Sequence, residues 1–123
     1  MLIPAPLPNS LFEKATRLRV VELFLEFLVG ENEENILNVV AYKEGGYPSE
    51  GPEALALFEE VKEWADAVYE VEGLHTTFAE AVIYDFRTKK VLVEEWPYDG
   101  GACVQHVFED ERFFEGCGIR GRA

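Results

Sequence analysis

Apolar residues at Leu11, Ala15, Leu18, Val21, Leu25 and Leu28 recur close to the helical period, and Ser10 followed by Glu13 gives the Ser-x-x-Glu pattern of a helix start. The spacing predicts a long N-terminal helix stopped by Gly30, buried on more than one side because VVELFLEFLV is apolar almost all round. GENEEN reads as a solvated turn or the start of a short helix, and ILNVVAY, rich in β-branched residues, as the first strand. KEGGYPSEG is a loop broken by Gly45, Gly46, Pro48 and Gly51. Pro52 suits the first position of a second helix, in which Ala54, Leu57, Phe58, Val61, Trp64, Ala65 and Val68 form one apolar face. Glu59, Glu60, Glu63 and Asp66 form the other. From Ala67 onward the pattern turns to β: AEAVIYDF and KKVLVEEW form a hairpin across Arg87-Thr88, Asp99-Gly100 turns the chain, and ACVQHVFED is a last strand. The order implies an α+β fold, with a long N-terminal helix and a second helix packed on a curved, mostly antiparallel sheet.

At 123 residues the chain is expected to be a single domain, 1–123, with an N-terminal arm over 1–9 and a C-terminal tail over 111–123. The hydrophobic fraction of 48% is enough for a core that needs neither disulfide nor metal. Charge adds a second layer. The formal net charge is −13, and residues 31–80 hold thirteen acids against two bases. Such a surface repels phosphate backbones and anionic lipid, so no direct nucleic acid and no membrane is expected as partner. No apolar run is long enough to span a bilayer, MLIPAPLPNS lacks the charged and apolar regions of a secretory signal, and two cysteines are too few for a disulfide scaffold. These features point to the cytoplasm.

The run RVVELFLEFLVG, the polar turn ENEEN, the strand NVVAY, the helix start GPEALALFEEV and the closing WPYDGGACVQHVFED together resemble the nuclear transport factor two-like, or polyketide cyclase/ketosteroid isomerase-like, cone fold. The resemblance spans roughly residues 12–110. It implies a curved sheet around an apolar pocket, often in a homodimer, and isomerase-, cyclase- or hydratase-type chemistry in some members and plain binding in others. In the last strand, Asp99, Gly100, Gly101, His106, Phe108 and Asp110 match features common in the family. Phe108 stands where some members carry an acid, which departs from the family's acid/base pattern.

Alternation on that strand places Val104, His106 and Phe108 on one face. His106 is the candidate base and Glu80 the candidate acid, because a carboxyl in an apolar pocket is held neutral by desolvation. Tyr84, Trp96, Val104 and Phe108 are candidate ligand contacts for a small apolar molecule, and no cofactor is called for. Cys103 and His106 would point to opposite faces of a strand, and Cys117 with His75 lacks ligand spacing, so no metal is expected. The alternative function uses the acidic segment: Glu59, Glu60, Glu63 and Asp66 would occupy a basic surface of a partner protein, as an inhibitor, immunity protein or DNA mimic does. Whether the protein is an enzyme stays open at this point.

Overall fold

The computed structural model describes residues 3–30, 34–71, 78–97 and 101–109. The fold is α+β: two helices, α1 (Asn9–Arg17) and α2 (Pro52–Val68), pack on a five-stranded antiparallel sheet. Its strands are β1 (Val20–Val29), β2 (Asn35–Lys43), β3 (Phe78–Asp85), β4 (Lys90–Pro97) and β5 (Val104–Phe108), in the spatial order β2-β1-β3-β4-β5. The second helix, the β3–β4 hairpin and the last strand lie where the pattern predicts them.

The first helix does not. It stops at Arg17, and VVELFLEFLV is strand β1 rather than the second half of a helix. This strand is the second in the sheet, hydrogen-bonded on both sides, to β2 and β3. The run is apolar except at Glu22 and Glu26, whose spacing of four fits a helical turn as well as one face of a strand, so periodicity does not separate the two. The valines and phenylalanines of this run favour the extended form, and pairing on both sides rewards it. The capping box is also not formed. The helix starts at Asn9 after Pro8, without a side-chain cap, and Asn9 instead reaches Glu13 at 3.4 Å. At the end of the second helix, α2 runs through Val68 and Tyr69 N–H donates to Ala65, so the switch to β falls later than Ala67.

Register assigns each strand residue to a face. Leu23, Leu25 and Phe27 of β1 lie opposite Tyr84, Val82 and Glu80 of β3, which in turn lie opposite Val91, Val93 and Glu95 of β4. The apolar members of this set form one core with Leu37 and Ala41 of β2, Leu11 and Ala15 of α1, and Leu57, Val61 and Ala65 of α2. This is therefore the helix-covered face. Burial of its aliphatic and aromatic side chains is worth about 1.5–3 kcal/mol each, which makes it the main source of stability.

The N-terminal arm is drawn into that core. Leu7 is fully buried, and Ala5 is held by two tyrosines: its N–H donates to the Tyr69 hydroxyl at 2.8 Å, and its carbonyl accepts from the Tyr84 hydroxyl at 2.6 Å. The two hydroxyls are 2.8 Å apart, which closes the ring of hydrogen bonds. Burial raises the Tyr84 pKa well above 10.0, reinforced by Tyr69 beside it. Burial also raises that of Tyr69, against the lowering effect of its bonds to Tyr84 and Ala5.

Candidate functional site

Three places on the molecule gather candidate chemistry, and some of the expected site residues meet at the first of them. His106, on β5, faces the helix-covered side opposite Val93, and its Nε2 lies 3.0 Å from Glu95 Oε1 on β4. Glu95 is opposite Glu80 on β3, and Glu80 is only 6% exposed. One end of the core face thus carries two carboxylates directly across a strand pair, with an imidazole on the neighbouring strand. Like charges in that relation repel, and a nearby imidazole offsets the repulsion when it is protonated. Val104 lies opposite Glu95 and is largely exposed, whereas Phe108 packs partly against the core.

Two of the expected ligand contacts are elsewhere. Tyr84 is fully buried in the hydrogen-bonded ring around Ala5, and Trp96 is on the opposite face of the sheet from His106, at the far end of β4. Glu59, Glu60, Glu63 and Asp66 are exposed on α2, and Glu60 pairs with Lys14 of α1. Cys103 is exposed, while His75 and Cys117 lie outside the described residues. Among the described residues no group of His, Cys, Asp and Glu is arranged to hold a metal ion.

The second place is the other face of the sheet, against which no described helix packs. Val40, Phe24, Ile83, Leu92 and Val107 lie in one continuous register row across all five strands, in which Ile83 is buried, Val40, Phe24 and Leu92 are half-buried and Val107 is exposed. On one side of it runs a polar row, Asn38, Glu26, Ala81, Glu94 and Gln105, in which Gln105 donates to Glu94 at 2.6 Å. On the other side are Tyr42, Glu22, Asp85 and Lys90. Phe24 and Tyr42 meet edge to face at 5.5 Å. The row was not legible from β1 alone, because it appears only when five strands are placed in register.

The third place is a groove of about 600 Å³ at the end of the sheet where α1 leads into β1. Arg19, Lys43, Arg87 and Lys89 line it together with Phe12, Tyr47 and Phe86. The sequence does not disclose these bases as a group because they come from three separate segments. The signal available was that Lys43, Arg87 and Lys89 stand at predicted turns in a chain poor in bases, whereas Arg19 falls inside the predicted first helix. Comparison with protein-family models, with curated proteins and with solved structures gives no match.

Proposed function

We propose that the protein is an acidic docking module that binds a basic protein through the open face of its sheet. The observation that carries this reading is the row Val40–Phe24–Ile83–Leu92–Val107. With strands about 4.8 Å apart, five of them give an apolar band roughly 20 Å wide. A band of that width rimmed by polar residues is the pattern of a protein-contact surface. Charge selects the partner. Glu22, Glu26, Asp85 and Glu94 flank the band against Lys90, and the chain as a whole carries −13. A second copy would bring the same charge to the same face, so a basic partner is favoured over a homodimer. The acidic face of α2 then adds long-range attraction rather than contact.

Affinity capture with the wild-type protein, Phe24→Glu and Val107→Ser tests the reading. The expected result is a stoichiometric basic protein retained by the wild type, released by added salt, and lost on Phe24→Glu. Retention of the same partner by Phe24→Glu would overturn it, as would a wild-type dimer that Phe24→Glu dissociates.

A second reading is favoured by the contact between His106 and Glu95 beside buried Glu80. In it, that end of the helix-covered face binds a small molecule and carries out isomerase-, cyclase- or hydratase-type proton transfer, with His106 as base and Glu80 as acid. Native mass spectrometry of the purified protein would reveal a retained small molecule. Unchanged retention in His106→Ala would sink this reading.

A further inference from the structure

We propose that the groove lined by Arg19, Lys43, Arg87 and Lys89 binds a small phosphate-bearing molecule with a flat ring. The inference is independent of the sheet-face reading and concerns the opposite electrostatic pole of the protein. The chain has 11 bases against 24 acids, yet four of the bases converge here, with Glu44 the one acid among the lining residues. Among the described residues no carboxylate pairs with Arg19, Lys43 or Arg87. The volume of about 600 Å³ is that of a small-molecule cleft, for which the usual range is about 300–1,000 Å³.

Backbone conformation points the same way. Among the described residues, the non-glycine ones with positive φ are Arg19 (61°), Glu70 (51°) and Lys89 (60°), and two of them are groove bases. Arg19 follows the end of α1, where a left-handed residue is most often glycine, and Lys89 closes the β3–β4 turn, where glycine would be equally at ease. At both positions the backbone would be better served by glycine, and at both the chain keeps a long cation. Left-handed non-glycine residues concentrate at functional sites for this reason. Beside Arg19, the β1–β2 register slips between Val20 and Glu22, a bulge that lets Val20 and Val21 both line the groove. Phe86 N–H donates to Val21 at 2.9 Å, tying the hairpin turn to that bulge.

The walls suit a ring. Phe12 and Phe86 stack with centroids 5.4 Å apart, and Lys89 Nζ lies 4.7 Å from the centre of the Phe12 ring. Across the groove Tyr47 is 69% exposed, with its ring lying over Gly45. A Cβ at Gly45 would come within 2.9 Å of that ring, and Gly45 has φ 87°, so only glycine seats it there. Tyr47 is thus a held but uncovered aromatic surface on which a flat ring can stack. Arginine guanidinium groups match phosphate oxygens with paired hydrogen bonds, and lysines add charge. A long nucleic acid is a poor occupant, because the −13 protein would repel everything beyond the few phosphates in the groove.

Calorimetric titration with AMP, adenosine and inorganic phosphate tests the proposal. AMP is expected to bind more tightly than either fragment, with an affinity that falls as salt is added. Arg19→Gly combined with Arg87→Gln should weaken AMP by at least about tenfold, or 1.4 kcal/mol. Its melting temperature should be unchanged or higher, since Arg19→Gly relieves the backbone at that position. Tyr47→Ala should bring AMP down to the affinity of phosphate alone. Any of three results overturns the proposal: no AMP binding at millimolar concentration, equal affinity for AMP and phosphate in the wild type, or AMP binding unaffected by the paired arginine change.

Discussion

The two faces of the sheet are built from the same strands and nearly the same residue types, yet they are treated oppositely. On β1, Leu23, Leu25 and Phe27 are buried under the helices, while Phe24 among them and Leu28 just after them are only half-buried on the other side. The helix-covered face is apolar over most of its area, with Glu80, Glu95 and His106 confined to one end. The open face alternates, an apolar row between polar ones. Stability alone accounts for the first pattern. The second keeps a line of large apolar side chains where no described helix packs, interleaved with charges that prevent indiscriminate sticking.

The comparison breaks most sharply under truncation of adjacent residues. Leu25 is fully buried between Val39 and Val82, and Leu25→Ala should cost about 3 kcal/mol in the transfer and cavity terms together. Phe24→Ala should cost less than half of that, since its side chain keeps much of its solvent contact and loses chiefly the edge contact with Tyr42. Denaturant unfolding of both variants measures the difference. Equal losses would mean that the open face is as well covered as the other.

The next largest effect concerns the tyrosine ring that fastens the arm to the covered face. Tyr84→Phe removes the donor to the Ala5 carbonyl and a partner of the Tyr69 hydroxyl, both tyrosines being buried, at a cost of about 1–3 kcal/mol. The pH dependence follows from the raised pKa values of both tyrosines. The unfolded chain loses these protons near pH 10 while the folded chain keeps them. Their contribution is therefore complete below about pH 10 and is lost as the pH rises through the folded-state values. Thermal melts from pH 8 to 11 should show an alkaline decline that Tyr84→Phe flattens.

Most of the architecture was legible in the sequence where one face of an element is wet. The helix Pro52–Val68 has a clean acidic side, and the hairpin Phe78–Pro97 has a turn of polar residues, Arg87 to Lys89, between two β-branched runs. Strand β1 does not disclose itself because its two polar residues, Glu22 and Glu26, are four positions apart with apolar residues all round them, a spacing that fits a helical turn as well as one face of a strand. The candidate site was legible in part. Alternation on β5 placed His106 and Phe108 on the core side, but the contact with Glu95 needs the β4–β5 register, and no single segment discloses it. The cationic groove was illegible for the same reason. Arg19, Lys43, Arg87 and Lys89 meet only because two turns and a bulge bring three separate segments to one end of the sheet.

The smallest effect on stability separates the two acidic surfaces. Glu59, Glu63 and Asp66 stand on the exposed side of α2, and the neighbouring Glu60–Lys14 pair has side chains 45% and 41% exposed. Exposed pairs of this kind contribute about 0–1 kcal/mol, so Glu59→Lys, Glu63→Lys and Asp66→Lys together should shift the unfolding free energy only slightly. Glu22, Glu26 and Glu94 are half-buried beside the apolar row, but they too face away from the core, so their change to glutamine should be comparably mild. Binding distinguishes the sets. If the sheet face is the contact, glutamine at Glu22, Glu26 and Glu94 should raise the dissociation rate, because short-range pairs are lost. Lysine on α2 should lower the association rate, with an effect that fades at high salt, because it acts through the long-range field. Kinetics measured at two salt concentrations would decide, and a dissociation rate that responds to α2 alone would move the contact from the sheet to the helix.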